Sequence, residues 1–324
     1  MKSLVKNYPG MIVFIFVFVL GIFVSPSFFT LNNVADILQQ TAQNGLLAAG
    51  MTLVIIGGGG GVDLSVGSNV ALGCMVAAMT QAYAGFPTMG SVLLAVAVCA
   101  ALGAGNGLLV TKGHLQPFVA TLVTMMGGRA AALLINSGRP VSSGIPESFS
   151  VISNTKIGPF FLPMFIWIIA IILIHILLTR TKYGRDLIAA GGNEEAAKYT
   201  GINVKKVRFI AYTITGALAG ICGALLCSKL KIGEPRSGEG YEMLAIAAVV
   251  MGGTSMDGGR GSALGTMFGV LALGVISNLL NVANVNMYLQ KVVEGLIVFV
   301  SVLVPVITQY VNEKAARKHA MERL

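Results

Sequence analysis

Two stretches of this chain place an acidic residue and a hydroxyl directly after a run of glycines. In the first, Gly57 to Gly61 precede Asp63, Ser65, Gly67 and Ser68; in the second, Gly252 and Gly253 precede Asp257, Gly261 and Ser262. Both contain Asp-x-x-x-Gly-Ser. Such a composition suits three tasks: cradling a phosphate, capping a helix at a tight turn, or hinging a pathway. A phosphate loop needs Gly-Lys-Ser/Thr next, and neither stretch supplies it, so no nucleotide-hydrolysing motif is visible. Consecutive glycines cannot persist inside a helix, since each costs about 1 kcal/mol relative to Ala. A helix must therefore end or unwind at Gly57–Gly61, and Asp63 and Ser65 sit where the next one starts, complementing its exposed N–H groups. A cap with a tight turn is one reading. A hinge or gate formed by Gly60, Gly61, Asp63, Ser65, Gly67, Gly252, Gly253 and Asp257 is the other.

A second constellation lies between Arg180 and Arg208, a long, strongly charged stretch in an otherwise apolar chain. Asn193 can cap a helix whose first turn carries Glu194 and Glu195, Ala196 and Ala197 favour helix, and Gly201 is a natural stop. A short, stiff, well-capped helix is expected, suited to transmitting motion from a soluble partner; the bland alternative is a basic loop that only sets topology. No His/Asp/Glu set has catalytic spacing. Cys74, Cys99, Cys222 and Cys227 fall in apolar segments and read as small core hydrophobes, without metal or redox chemistry. Neutral polar residues within apolar runs, among them Asn44, Asn69, Asn106, Thr121, Thr124 and Asn278, could line an internal polar path or simply bond between helices. Arg129 is costly in lipid and has no sequence-local partner.

What must position these groups is a membrane bundle. The chain has 324 residues, 55% hydrophobic and 11% charged, against about 25% charged for a soluble domain. With a mean hydropathy of +0.81 it is an integral membrane protein. The net charge of +9 is too scattered for nucleic-acid binding, and the lipid bilayer explains it better. Apolar runs long enough for roughly 30 Å of hydrocarbon are Met11–Phe29, then 41–58, 64–84, 91–110, 117–137, 160–179, 208–228, a short 242–256, 262–281 and 287–309. Ser25-Pro26-Ser27 could pass for a cleavage site, but the first run is long for a signal peptide. Thr30–Gln40 reads as an interfacial helix.

The expected fold is all-α and polytopic, a single transmembrane domain over 1–324 with about ten transmembrane helices. Placing both termini in the cytoplasm puts Lys2, Lys6, Lys112, the cations of 180–208, Arg260 and the basic tail inside, as the positive-inside rule requires. Both glycine-rich interruptions then fall at the cytoplasmic face.

Ordered along the chain, Gly61-Val62-Asp63-Leu64-Ser65-Val66-Gly67-Ser68, Gln116-Pro117-Phe118-Val119-Ala120-Thr121-Leu122, Gly138-Arg139-Pro140-Val141, Thr181-Lys182-Tyr183-Gly184-Arg185, Gly191-Gly192-Asn193-Glu194-Glu195-Ala196-Ala197, Gly201-Ile202, Met251-Gly252-Gly253-Thr254-Ser255 and Gly265-Thr266 resemble the ribose/xylose-type monosaccharide ABC importer permeases. The resemblance covers nearly the whole chain. It implies a bacterial inner-membrane permease subunit working with a second copy or a close paralogue. It also implies a cytoplasmic ATPase carrying two nucleotide-binding modules and ATP/Mg, and a periplasmic or lipoprotein sugar-binding protein. No cofactor would sit on this chain, and the loop 180–208 would be its ATPase-coupling element. Two departures stand out: the glycine run before Asp63 is longer than the usual Gly-Gly-Ile-Asp form, and Leu244 replaces a common Asp. An ion-coupled secondary transporter, in which broken helices bind substrate and ions at the midplane, is the rival reading. Too few intramembrane carboxylates favour it.

Overall fold

The computed structural model describes residues 9–24, 28–301, 303 and 307. The Ser25-Pro26-Ser27 stretch, the N-terminal lysines and the basic tail lie outside them. The architecture is helical throughout, apart from a small antiparallel hairpin pairing Lys156–Ile157 with Phe160–Phe161. In chain order the helices are α1 (Pro9–Val24), α2 (Leu31–Ile56), α3 (Val66–Ala82), α4 (Thr88–Thr111), α5 (Pro117–Ile135), the short α6 (Val151–Asn154), α7 (Leu162–Arg180), α8 (Lys182–Gly192), α9 (Glu194–Tyr199), α10 (Val204–Leu230), α11 (Tyr241–Met251) and α12 (Ala263–Val282). Residues 287–301 are also helical. Among the described residues, five helices, α4, α5, α7, α10 and α12, are long and apolar enough to cross a membrane by length and composition.

Two sequence expectations change. The interfacial helix and the following span are one continuous α2 of 26 residues, because nothing between Gln40 and Thr41 breaks a helix. Thr30 caps its start, accepting from Asn33 N at 3.4 Å, and the polar residues Asn33, Gln39 and Gln43 find partners or burial within the bundle. The short span at 242–256 is the helix α11 of only 11 residues, about 16 Å at 1.5 Å per residue. It starts within the bundle, where Gly67 at the head of α3 packs directly on Gly238 and Glu242. The approach to it is non-helical, from the Val141–Gly233 bridge to Gly240 at φ +84°. Arg129 satisfies that irregular backbone, donating from Nη1 to the carbonyls of Pro235 at 2.9 Å and Ser237 at 2.7 Å. Backbone carbonyls are thus the partners that the sequence around Arg129 does not reveal.

The long α10 is the bundle's axis, packed on α4, α3 and α2. Small residues let it approach: a Cβ at Gly216 would lie 3.0 Å from the Gly103 Cα, and one at Gly73 would lie 3.2 Å from the Gly220 Cα. This is the close axis-to-axis packing that lipid-embedded helices use. The cysteines are all free and buried. Helices α2 and α12 run side by side and are tied at both ends. The amides of Asn33 and Asn278 exchange bonds of 3.1 and 2.9 Å, and the hydroxyls of Thr52 and Thr266 meet at 2.7 Å.

Candidate functional site

The segment between α7 and α10 folds as the capping residues dictate. Thr181 caps α8 by accepting from Gly184 N at 3.1 Å. Asn193 ends α8 and caps α9, accepting from Ala196 N at 3.0 Å. After Tyr199 the chain closes in a Schellman motif: Ile202 N donates to Ala197 O and Gly201 N to Lys198 O, both at 3.0 Å. Gly201 has φ +82°, a conformation that glycine adopts without strain. Ala197, buried, and Ile202 pack with Ala190 and Val204. The rest of α9 faces out, with the Glu195 side chain 75% exposed and Tyr199 89% exposed.

Glu194 looks the other way. Its carboxylate takes Lys198 Nζ at 2.8 Å on Oε1 and Arg208 Nη1 at 2.7 Å on Oε2. These cations, Lys198 first, hold Glu194 below the ordinary carboxylate range. The same guanidinium donates from Nε to the carbonyl of Gly57 at 2.9 Å. Gly57 is the last residue associated with α2 and opens the first glycine run.

Around this point the glycine-rich segments meet backbone to backbone. A Cβ on Gly58 would lie 2.6 Å from Gly191 Cα, and one on Gly258 would lie 2.8 Å from Gly58 N and 3.1 Å from Gly191 O. Gly259 N donates to Ile56 O at 2.9 Å. The first interruption, the second interruption and the end of α8 therefore form one knot at the charged end of the bundle, where no side chain would fit at Gly58, Gly191, Gly258 or Gly259. Sequence spacing gives no sign of this three-way contact.

From that knot the first interruption turns inward. Gly58, Gly59 and Gly60 take φ of +68°, +66° and +70°, and by Asp63 the chain is fully buried. Its glycines lie at the charged end, and Asp63 is buried behind them. Asp63 Oδ1 accepts from Ser65 N at 2.9 Å, Ser65 Oγ at 2.6 Å and Asn106 Nδ2 at 3.3 Å. Asp63 thus organises a turn to the residue two ahead, and Ser65 caps α3 without a side-chain bond. Asn106 Nδ2 also reaches Ser65 Oγ at 2.8 Å, and Thr124 Oγ1 donates to Asn106 Oδ1 at 2.5 Å. A polar chain of the buried Asp63, Ser65 and Asn106 and the half-buried Thr124 links α3, α4 and α5.

The second stretch is different. Asp257 is exposed, so the matching spacing does not give matching environments. Gly252 packs against Gly265 and Thr266, and Gly253 takes φ +94° beside Pro9. The remaining polar candidates scatter. Asn278 pairs with Asn33, and Thr121 bonds back to Pro117 O of its own helix. Asn69 has both amide atoms buried without a partner, and Asn44 has its Oδ1 so.

The cleft at the charged end, about 260 Å³, is lined by Gly58, Gly59, Gly61, Gln116, Arg208 and Tyr212, among others. Tyr212 OH donates to Val62 O at 3.2 Å. The site as a whole joins a stiff external helix, a cationic tether, a glycine knot and a buried polar network. That arrangement can carry a displacement inward; it has no nucleophile or general base in a reacting geometry.

Comparison with known proteins supplies the family. The profile described as branched-chain amino acid transport system / permease component matches residues 33–302. The ribose import permease protein of Escherichia coli (strain K12) is 42% identical over 283 residues, 86% of this chain and 87% of the relative. That of Bacillus subtilis (strain 168) is 40% identical over 300 residues, 92% of each. The D-allose transport system permease protein of Escherichia coli (strain K12) is 35% identical over 89% of each chain. No solved structure matches. On a match spanning most of its length, the chain belongs to the family of branched-chain amino acid transport system permease components.

Proposed function

We propose that this chain is the membrane-spanning permease subunit of a bacterial importer that passes a monosaccharide or related small polyol to the cytoplasm, driven by ATP hydrolysis on a separate subunit. The observation that carries this reading is the link from the capped helix α9 through Arg208 to Gly57, at the glycine knot that heads the α2–α3 interruption. The ribose and allose permeases among its relatives favour a sugar over an amino acid.

The single domain crosses the bilayer about ten times, with both termini cytoplasmic. Non-helical residues leading into α11 complete a crossing that α11 is too short to make alone. Asn193, Glu194, Glu195, Ala196, Ala197 and Gly201 form the coupling element against a cytoplasmic ATPase with two nucleotide-binding modules, which holds ATP and Mg²⁺. A second permease copy or a paralogue completes the translocator, and a sugar-binding protein delivers the substrate outside. The glycines of both interruptions act as hinges. Asn106 and Thr124, with Asp63 and Ser65, lie along the substrate path, whereas Asn278 serves helix pairing.

The test is transport by proteoliposomes holding this chain with and without its ATPase and binding protein, using D-ribose and D-allose. ATP-dependent uptake that needs all components is the expected result. Uptake driven by an ion gradient with no ATPase present would overturn the reading.

A further inference from the structure

Between the external helix and the interior hinge lies a contact that slides and a contact that does not. The glycine segments 57–61, 191–192 and 258–259 touch through backbone surfaces alone, apart from the Gly259–Ile56 bond. Such surfaces transmit compression but not tension, because dispersion contacts are individually weak and non-directional. Arg208 is of another kind. Its side chain is 15% exposed, it stands on the first turns of α10, and separate nitrogens engage separate segments: Nη1 to Glu194 of α9, Nε to the Gly57 carbonyl. A Cβ on Gly59 would lie 2.8 Å from Nη2, so the guanidinium also lies flat against the next part of the glycine run.

Gly57 O is one of the carbonyls left without an intrahelical partner at the end of α2. An arginine satisfies it from one nitrogen while holding a carboxylate with another, which the point charge of a lysine cannot reproduce with one nitrogen. We propose that Arg208 is a positioning residue that ties α9 to the α2–α3 hinge, so that a pull on α9, as well as a push, moves Gly57–Gly61 and the cleft wall they form. This rests on the proposed coupling role of α9. It adds a specific tether and a direction of force. Three consecutive left-handed glycines give the hinge freedom to follow, and the route inward from it ends on the Asp63–Ser65–Asn106–Thr124 chain.

The experiment uses the complete importer in proteoliposomes, and reads ATP hydrolysed per D-ribose or D-allose imported. Wild-type ATP-driven uptake is measured first; its absence would count against the transport reading and not against the tether. The variants are Arg208→Gln, Arg208→Lys, Glu194→Gln and Arg208→Gln with Glu194→Gln. A charge-assisted hydrogen bond contributes about 1.5–3 kcal/mol, so losing the tie should raise ATP spent per sugar by roughly tenfold or more while hydrolysis continues. The double variant should be no worse than the more severe single, because both cut one connection. Arg208→Lys should restore only part of the coupling. Unchanged stoichiometry in Arg208→Gln would overturn the proposal, as would additive effects in the double variant, or hydrolysis and uptake falling in equal proportion in a fully assembled complex. Should Arg208→Gln fail to assemble, Glu194→Gln decides the matter, since it leaves the Gly57 bond in place and cuts only the link to α9.

Discussion

Replacing Gly191 by Ala tests the glycine knot, and Gly192, its neighbour, provides the control. A Cβ on Gly191 would lie 2.5 Å from Gly259 N and 3.0 Å from the carbonyl carbon of Ile56, directly in the Gly259–Ile56 hydrogen bond. Every atom it meets there belongs to backbone, so no side chain can swing aside. Overpacking of this kind costs about 1–3 kcal/mol, and the bond it displaces contributes about 1 kcal/mol more. At the low end of that sum, about 2 kcal/mol, the opening equilibrium of the knot already shifts roughly thirtyfold. A Cβ on Gly192, by contrast, has Gly259 Cα at 3.9 Å as its nearest neighbour, an ordinary contact. Ala there should be neutral or stabilising by about 0.5 kcal/mol, since it restricts the unfolded chain. Hydrogen exchange read by mass spectrometry on the protein in nanodiscs follows the Gly259 amide. Its protection should fall roughly thirtyfold in Gly191→Ala and hold in Gly192→Ala. Equal protection in the two variants would refute the steric account, and with it the claim that the interruptions and the end of α8 form one unit.

Four further outcomes follow from the same geometry. Asn193→Ala removes the cap on Ala196 N and should cost α9 about 1 kcal/mol, seen as faster exchange at 194–200 and weaker ATP-driven uptake with normal insertion. Glu195→Arg alters a side chain whose partner among the described residues is Lys198, so folding should be unchanged while uptake falls; normal uptake would remove Glu195 from the docking surface. Asp63→Ala orphans donors from Ser65 and Asn106 and should cost at least about 2 kcal/mol, whereas Asp63→Asn keeps an acceptor oxygen; the yield of assembled protein after heating in detergent separates them. The α9 ion pairs should bring no pH step to coupling near neutrality. Glu194 is held below its ordinary 4.5, so its contribution is complete above that value and is lost only as pH falls beneath it. Lys198 is raised above its ordinary 10.5 by Glu194 and then Glu195, so its contribution is complete below 10.5 and is lost only as pH rises further. A step between pH 6 and 8 that disappears in Glu194→Gln would contradict this.

What the sequence reveals here is what is decided locally. Asn193, the paired glutamates and Gly201 specify α9 because a cap, a first-turn charge and a left-handed stop all act within a few residues. Apolar length specifies the long helices for the same reason. The interior hides because it depends on partners distant in the chain. Asp63 and Asp257 share a local pattern, yet one is buried against Asn106 and the other is exposed. Arg208 reads from sequence as one more topogenic cation; its position inside the start of an apolar run, past Lys205 and Lys206, is the signal that could have marked it. The continuity of α2 is obscured by its polar first half, in which Asn33 bonds α12 and Gln39 bonds the backbone of α6.

The ties between α2 and α12 constrain what kind of motion the hinges allow. A one-turn slip of either helix along the other would displace it by about 5.4 Å, breaking the Asn33–Asn278 exchange and the Thr52–Thr266 contact together. A piston stroke along the membrane normal is therefore disfavoured at this pair. Since Gly57 follows α2 and Ser262 immediately precedes α12, both glycine segments are anchored to the same stave. Any stroke that opens one must tilt that stave as a rigid lever and swing the other with it, so the interruptions would open in phase rather than in turn.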